Sequence, residues 1–183
     1  MGIVYGCIGA ALAIILSAIG SCIGVGKAGQ MAGGLLSKDP SKFTSMLILQ
    51  LLPATQGLYG FIVAFMAISQ MGLLGGSDFV FTNAHGLAML AVCLPIGIIG
   101  LFSAVFQGRV VMAGMEMCFK QDKQMGKALL MAVLVEIFAI FAFVISLMAV
   151  LGIAGMPVAA SPATLPDDAL VPEITEAFRA LGL

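Results

Sequence analysis

Long apolar segments alternate with short polar ones along most of the chain. The apolar runs cover Ile3–Val25, Met46–Met71, Gly86–Phe106 and Ala128–Ile153. Each run has about 20 residues or more, which at about 1.5 Å per residue spans a hydrocarbon core of about 30 Å. The pattern therefore predicts an all-α membrane fold with four transmembrane helices.

Two short polar segments, residues 37–42 and 120–124, separate the first helix from the second and the third from the fourth. Because connections of this length join antiparallel neighbours, we expect two tandem helical hairpins. The first hairpin would occupy residues 1–71 and the second residues 86–155. A linker on the non-cytoplasmic side would cover residues 72–85, and residues 156–183 would form a C-terminal tail whose role the sequence leaves open.

The two predicted hairpins look like copies of each other. Residues 31–33 (Met-Ala-Gly) recur 81 positions later as residues 112–114, and Gln56 aligns with Glu136 at a spacing of 80. Since each copy is a complete hairpin, the repeats are parallel and are related by an axis along the membrane normal. Duplication of one structural unit is typical of rings and arrays.

Side-chain size also distinguishes the predicted helices. Small residues recur at steps of three or four on the first helix, from Gly6 to Gly24, and on the third, from Gly97 to Gly108. Such stripes allow helices to approach closely in lipid. A narrow helix beside a thick one makes a wedge-shaped protomer, and wedges placed side by side close into a ring. The spacing alone leaves a compact four-helix monomer equally open.

Composition narrows the class of protein. Hydrophobic residues make up 61% of the 183 residues and charged ones 9%, against about 25% in a typical soluble domain. A formal net charge of -1 gives no basic surface for nucleic acid. Of the basic residues, only Arg179 lies away from the two hairpin turns, so the positive-inside rule places the turns in the cytoplasm. Both termini would then lie on the opposite side.

Glu136 is the only acidic residue inside the four apolar runs. A carboxylate at the centre of a membrane helix costs about 2.5–3.5 kcal/mol on insertion scales, so such a residue indicates a functional site.

Neutral oxygen-bearing side chains are expected at the same depth as this acid. Gln107 precedes Asp122 in the second turn by 15 residues, and Glu136 follows it by 14. Thr55 and Gln56 follow the first turn by a similar distance. At about 1.5 Å per residue all four lie about 20 Å from the turns, in one layer.

Two further residues would complete this layer. Pro53 removes a helical hydrogen bond, which makes the backbone carbonyls of residues 50–52 available as ligands. Tyr59, three residues after Gln56, can offer its hydroxyl to the carboxylate. Oxygen ligands with a single negative charge favour a monovalent hard cation. We therefore predict Na⁺, with H⁺ as the alternative, since a proton site does not require so many neutral donors.

Three sequence segments resemble the rotor-ring proteolipid of V-type ATPases, the K (or c) subunit, in its duplicated four-helix form. They are residues 52–60 (Leu-Pro-Ala-Thr-Gln-Gly-Leu-Tyr-Gly), 106–109 (Phe-Gln-Gly-Arg) and 134–136 (Leu-Val-Glu). The first of them is especially similar to the Na⁺-transporting bacterial members. The resemblance covers residues 1–155.

The resemblance implies a role for each residue of the layer. Glu136 would carry the ion, with Thr55, Gln56, Gln107 and the Leu52 backbone carbonyl as the other Na⁺ ligands and Tyr59 bonded to the carboxylate. Identical subunits would form a ring in a bacterial-type plasma membrane and contact lipid. The ring would turn against a stator subunit whose arginine faces Glu136, and the central stalk would bind the cytoplasmic turns. Other subunits would hydrolyse ATP, with no catalytic site on this chain.

Two other classes of function remain as alternatives. A stand-alone four-helix ion-coupled carrier or channel would use the same carboxylate, although the sequence offers few polar groups for an organic substrate. A membrane enzyme is disfavoured because the sequence has no nucleophile–base pair, no metalloprotease motif and no cofactor loop.

Overall fold

The computed structural model describes residues 1–75 and 81–153, and all regular structure in these ranges is helical. Single 3-10 turns lie at Pro40–Lys42, Leu52–Ala54 and Asp122–Gln124. The α-helices are α1 (Gly2–Leu36), α2 (Phe43–Leu51), α3 (Thr55–Gln70), α4 (Asn83–Lys120) and α5 (Met125–Ile153).

Helices α2 and α3 are two parts of one span, so the described residues contain four helices long and apolar enough to cross a membrane. The prediction of an all-α fold with four membrane spans is confirmed. The proposed hairpin boundaries remain predictions, and the tail at residues 156–183 lies outside the described residues.

The first and third spans are longer than the apolar runs that predicted them. Helix α1 has 35 residues and α4 has 38, so at about 1.5 Å per residue they extend over more than 50 Å. Their ends toward the turns are held by a cluster of buried residues from several helices. It contains Ala28, Ala32, Met46, Leu49, Val111 and Met115.

Helix α4 begins at Asn83, three residues before the apolar run at Gly86. The Thr82 side chain accepts a hydrogen bond from the His85 backbone N–H, at 3.3 Å. The His85 ring in turn accepts one from the Thr82 backbone N–H. This reciprocal cap satisfies N–H groups that the first turn of a helix leaves unpaired, so α4 can start in a polar segment.

Helices α1 and α4 form the most extensive contact of the fold, with α3 packed on α1 and α5 packed on α4. Small residues make the close approach possible. A Cβ atom at Gly24 of α1 would lie 2.5 Å from the Ala104 carbonyl oxygen of α4 and 2.8 Å from Cβ of Pro53. Larger residues at Gly24 would therefore push α1 away from both neighbours.

The second span is interrupted at Pro53, as the chemistry of proline predicts. Helix α2 ends at Leu51, and a 3-10 turn leads into α3 at Thr55. Helix α1 supports the interruption, because the Ser21 hydroxyl oxygen accepts a hydrogen bond from the Gly57 backbone N–H at 2.8 Å. A side chain of the first span therefore provides a hydrogen-bond acceptor for a backbone N–H of the second span close to the break.

The outward face of α5 is apolar along its whole length. Its large side chains at steps of three or four are 61 to 67% exposed. Such a face requires lipid or a neighbouring apolar surface around it. These side chains belong to Leu130, Leu134, Phe138, Phe141, Ile145 and Met148.

Candidate ion-binding site

The carboxylate of Glu136 lies between α5 and the other helices, and the residue is only 7% exposed. The Tyr59 hydroxyl donates a hydrogen bond to its Oε1 atom at 2.7 Å. The Gln107 amide, through Nε2, approaches Oε2 at 3.4 Å. In the described part of the chain no lysine or arginine forms an ion pair with Glu136, so its charge is balanced only by neutral donors.

Gln107 of α4 is fully buried and uses both ends of its side-chain amide. Its Nε2 atom also donates to the Ala132 backbone carbonyl of α5 at 3.0 Å. Its Oε1 atom accepts a hydrogen bond from Gln56 Nε2 at 2.8 Å. Gln107 therefore connects the acid of α5 with the first hairpin.

Gln56, the first-hairpin counterpart of Glu136, is also fully buried. Its Nε2 atom donates to Gln107 Oε1 and approaches the Ser103 hydroxyl oxygen at 3.4 Å. Its Oε1 atom is buried and has no hydrogen-bond partner among residues 1–75 and 81–153. An unsatisfied buried acceptor is unfavourable by about 1–3 kcal/mol, so this oxygen is suited to a bound cation or donor.

Thr55 and Leu52 form a second group beside this network. The Thr55 hydroxyl donates to the Leu52 backbone carbonyl at 2.9 Å. Within the described ranges neither residue forms a hydrogen bond directly with Glu136. Tyr59 follows Thr55 by four residues on the same face of α3, so the residue that bonds to Glu136 lies beside this second group.

The structure thus brings Gln56, Gln107, Tyr59 and Glu136 into one network, whereas Thr55 and Leu52 form a separate hydrogen-bonded pair. Sequence reasoning did not identify Ser103, which is buried in the same layer and donates to the Val135 carbonyl at 3.1 Å. A signal was available, since Ser103 precedes Gln107 by four residues and so shares its helix face.

This arrangement suits a single small monovalent cation. Its polar atoms are oxygens and amide nitrogens, and no cluster of three His, Cys, Asp or Glu side chains occurs among the residues that the structure describes. One carboxylate neutralises one positive charge, whereas a divalent ion would leave a buried net charge in a low-dielectric environment. Amide, hydroxyl and carbonyl oxygens are the ligands that hard cations prefer.

Comparison with known proteins gives two matches to one family. The sequence profile of the ATP synthase C subunit matches residues 8–67 and again residues 90–149. The first match contains Gln56 and the second contains Gln107 and Glu136.

Two curated proteins are similar to the chain over most of its length. The V-type sodium ATPase subunit K of Enterococcus hirae is 43% identical over 150 residues, which cover 82% of this chain and 92% of that protein. The A-type ATP synthase subunit K of Methanocaldococcus jannaschii is 36% identical over 151 residues, which cover 82% of this chain and 64% of that protein.

Proposed function

The chain belongs to the family of the ATP synthase C subunit, in a form with two tandem copies, and from this we propose that it is the Na⁺-translocating rotor-ring subunit of a V-type rotary ATPase. It is a multi-pass integral membrane subunit without catalytic activity of its own. It carries ions while ATP is hydrolysed by other subunits.

The observation that carries the ion assignment is the pairing of one buried carboxylate with a buried amide oxygen that lacks a partner within the described ranges. Glu136 supplies the charge, and Gln56 Oε1 is the unsatisfied acceptor at the same level of the membrane. We propose that these two groups ligate Na⁺, the transported ion, together with Gln107, Thr55 and the Leu52 backbone carbonyl. Tyr59 would hold the carboxylate in place through its 2.7 Å hydrogen bond.

The choice of Na⁺ over H⁺ rests on the number of neutral oxygen donors. A proton carrier needs a carboxyl group and little else, whereas this layer contains two fully buried glutamines whose amides are held by further hydrogen bonds. Burying such amides is unfavourable unless their polar atoms form hydrogen bonds or bind an ion. The relative named as a sodium ATPase subunit supports the same choice.

A rotor ring within a rotary ATPase would have identical subunits, lipid, a stator subunit and the central stalk as its partners. Identical copies would form a ring, and apolar faces such as that of α5 would contact neighbours and lipid. Glu136 would meet an arginine of a stator subunit as the ring turns, and the central stalk would bind the turns at residues 37–42 and 120–124. Those turns would be cytoplasmic, with both termini on the opposite side of a bacterial-type plasma membrane.

Carbodiimide labelling tests the ion assignment directly. The purified ring would be treated with a carbodiimide at increasing Na⁺ concentrations, and modification of Glu136 would be measured by mass spectrometry. We expect Na⁺ to protect Glu136, because a bound cation occupies the carboxylate. Labelling that depends on pH alone, with indifference to Na⁺, would favour the H⁺-translocating ring.

The oligomeric state separates the ring from a stand-alone carrier or channel. The native mass of the detergent-purified protein should correspond to many copies. A monomer or dimer that still binds Na⁺ would contradict the rotor assignment and favour the carrier.

A further inference from the structure

We infer that Ser103 is a positioning residue that determines which end of the Gln56 side-chain amide faces the cation. This inference rests on the proposed function, because it concerns how the first hairpin presents its oxygen to the Na⁺ site. It gives Ser103 a role without making it a ligand.

Ser103 lies where α3, α4 and α5 meet. It is on α4, one turn before Gln107, and is 6% exposed. Its hydroxyl donates to the Val135 backbone carbonyl of α5 at 3.1 Å and faces Gln56 Nε2 of α3 at 3.4 Å. Since Val135 directly precedes Glu136, one hydroxyl joins Gln56 to the backbone beside the acid.

The direction of the Ser103 hydrogen bonds selects one orientation of the Gln56 amide. A serine hydroxyl has a single proton, and the Val135 carbonyl, which has no proton to give, receives it. Toward Gln56 the hydroxyl can therefore offer only lone pairs, which accept from the amide nitrogen and repel the amide oxygen.

Gln107 imposes the same choice from its side of the site. Its Nε2 atom donates to the Ala132 carbonyl and approaches Glu136, so its Oε1 atom is left facing Gln56. Gln56 Nε2 thus has two acceptors, and Gln56 Oε1 is the end without a partner in the described structure. Reversing the amide would put its oxygen against two acceptors and its nitrogen against the cation.

Replacing the serine removes one of these two constraints. In Ser103→Ala, we expect the Na⁺ concentration that half-protects Glu136 from carbodiimide to rise about threefold to tenfold, as for the loss of one buried hydrogen bond. The rate of Glu136 labelling without Na⁺ should stay close to native, because the carboxylate keeps Tyr59 and Gln107.

Two variants separate positioning from packing. Ser103→Thr keeps the hydroxyl and should have a nearly native midpoint, since Ser103 borders an apolar groove of about 470 Å³ that has room for a methyl group. Ser146→Ala removes another buried serine hydroxyl between α4 and α5, which accepts from the Ile96 N–H at 3.3 Å. We expect this control to leave the midpoint unchanged.

The outcomes distinguish the two proposals. If Na⁺ fails to protect Glu136 in the native ring, the proposed function is wrong. If Na⁺ protects the native ring and Ser103→Ala has the native midpoint, or shifts no more than Ser146→Ala, only the role of Ser103 is overturned. If Ser103→Ala does not assemble, Ser103→Cys replaces it, because a thiol is a weaker acceptor and should also raise the midpoint.

Discussion

The second span and the fourth span occupy corresponding places in the two hairpins, yet they differ in backbone and in charge. The second span is broken at Pro53 and presents Thr55, Gln56 and Tyr59, whereas α5 is unbroken and presents Glu136. At a spacing of 80, Val133 stands opposite Pro53 in the alignment. In the duplicated chain, the charge of the site therefore lies on the fourth span, and most of its neutral oxygens lie on the second span.

On the proposed function, this difference lets one ion site draw ligands from two similar units while it contains a single negative charge. A carboxylate at both positions would place two negative charges in a site of low dielectric, which one monovalent cation cannot neutralise. With Gln56 in the first unit, the proposed site would bind one ion per chain of four spans. Since moving one charge against 100 mV requires about 2.3 kcal/mol, fewer ions per turn allow a fixed hydrolysis energy to oppose a steeper gradient.

The largest effect should come from removing the charge of the second hairpin. Glu136→Gln makes the two units alike and leaves no negative charge to balance the cation, so we expect loss of Na⁺-coupled ATP hydrolysis in the complete ATPase and loss of carbodiimide labelling. Glu116→Gln is the matched control, because Glu116 is an exposed acid of α4 and should behave as native. Na⁺-coupled activity in Glu136→Gln would contradict the assignment.

A smaller effect is expected when the first hairpin loses its contact with the acid. Tyr59→Phe removes the hydroxyl that lies 2.7 Å from Glu136 Oε1. A hydrogen bond to a charged group contributes about 1.5–3 kcal/mol, so the Na⁺ midpoint for protection should rise roughly tenfold or more. The ring contact of Tyr59 with Phe143, with centroids 5.0 Å apart, is preserved by phenylalanine. An unchanged midpoint would show that the hydroxyl does not support ion binding.

Removing the helix break should have a smaller effect than Tyr59→Phe. Pro53→Ala makes the first hairpin resemble the second in backbone and allows a continuous helix, which moves the Leu52 carbonyl and Thr55. We expect the Na⁺ midpoint to rise about fivefold, as for the loss of roughly 1 kcal/mol. Pro95→Ala provides the control, since Pro95 lies within the continuous α4 helix. Equal effects of the two substitutions would argue against a special role for the break.

The smallest effect concerns the turns of the two hairpins. Asp39 accepts hydrogen bonds from the Ser41 N–H at 3.0 Å and from the Ser41 hydroxyl at 2.6 Å, which lower the pKa of its carboxyl. The stabilisation of the first turn is therefore present above the ordinary pKa of aspartate and is lost as the pH falls through the lowered value. Among the described residues, the 3-10 turn at Asp122–Gln124 has no side-chain cap at its start.

Hydrogen exchange of the Ser41 amide measures this difference between the turns. After correction for the intrinsic rate, protection should fall on acidification in the native chain and should not depend on pH in Asp39→Asn. Residues 121–124 serve as the internal reference. A similar loss of protection in both turns would contradict a role for Asp39, and Na⁺ binding at neutral pH should be unchanged by the substitution.

The number of spans, the common depth of two site residues and the helix break could be predicted from the sequence. Apolar runs indicated the number of spans, and equal distances from the turns placed Gln107 and Glu136 at a common depth. The chemistry of Pro53 predicted a helix break. These inferences rely on length, rise per residue and the geometry of proline, which do not depend on the details of packing.

The remaining features depend on contacts between distant segments. The extension of α1 to Leu36 follows from burial of small residues against other helices, which hydropathy does not reveal. The hydrogen bond between Ser21 and Gly57 forms only because α1 turns the face that carries Ser21 toward α3. In the same way, the hydrogen bond from Ser103 to Val135 depends on which face α4 turns toward α5. The spacing of four residues between Ser103 and Gln107 indicates a shared face of α4, but only the packing of α5 against that face shows that the Ser103 hydroxyl is used.

Equilibrium binding of radioactive Na⁺ to the purified native ring, compared with Glu136→Gln, tests the central claim most directly. The division of charge and neutral ligands between the two hairpins predicts one saturable Na⁺ per chain in the native ring and none in the variant. Two ions per chain, or one ion that persists without the Glu136 carboxylate, would contradict it.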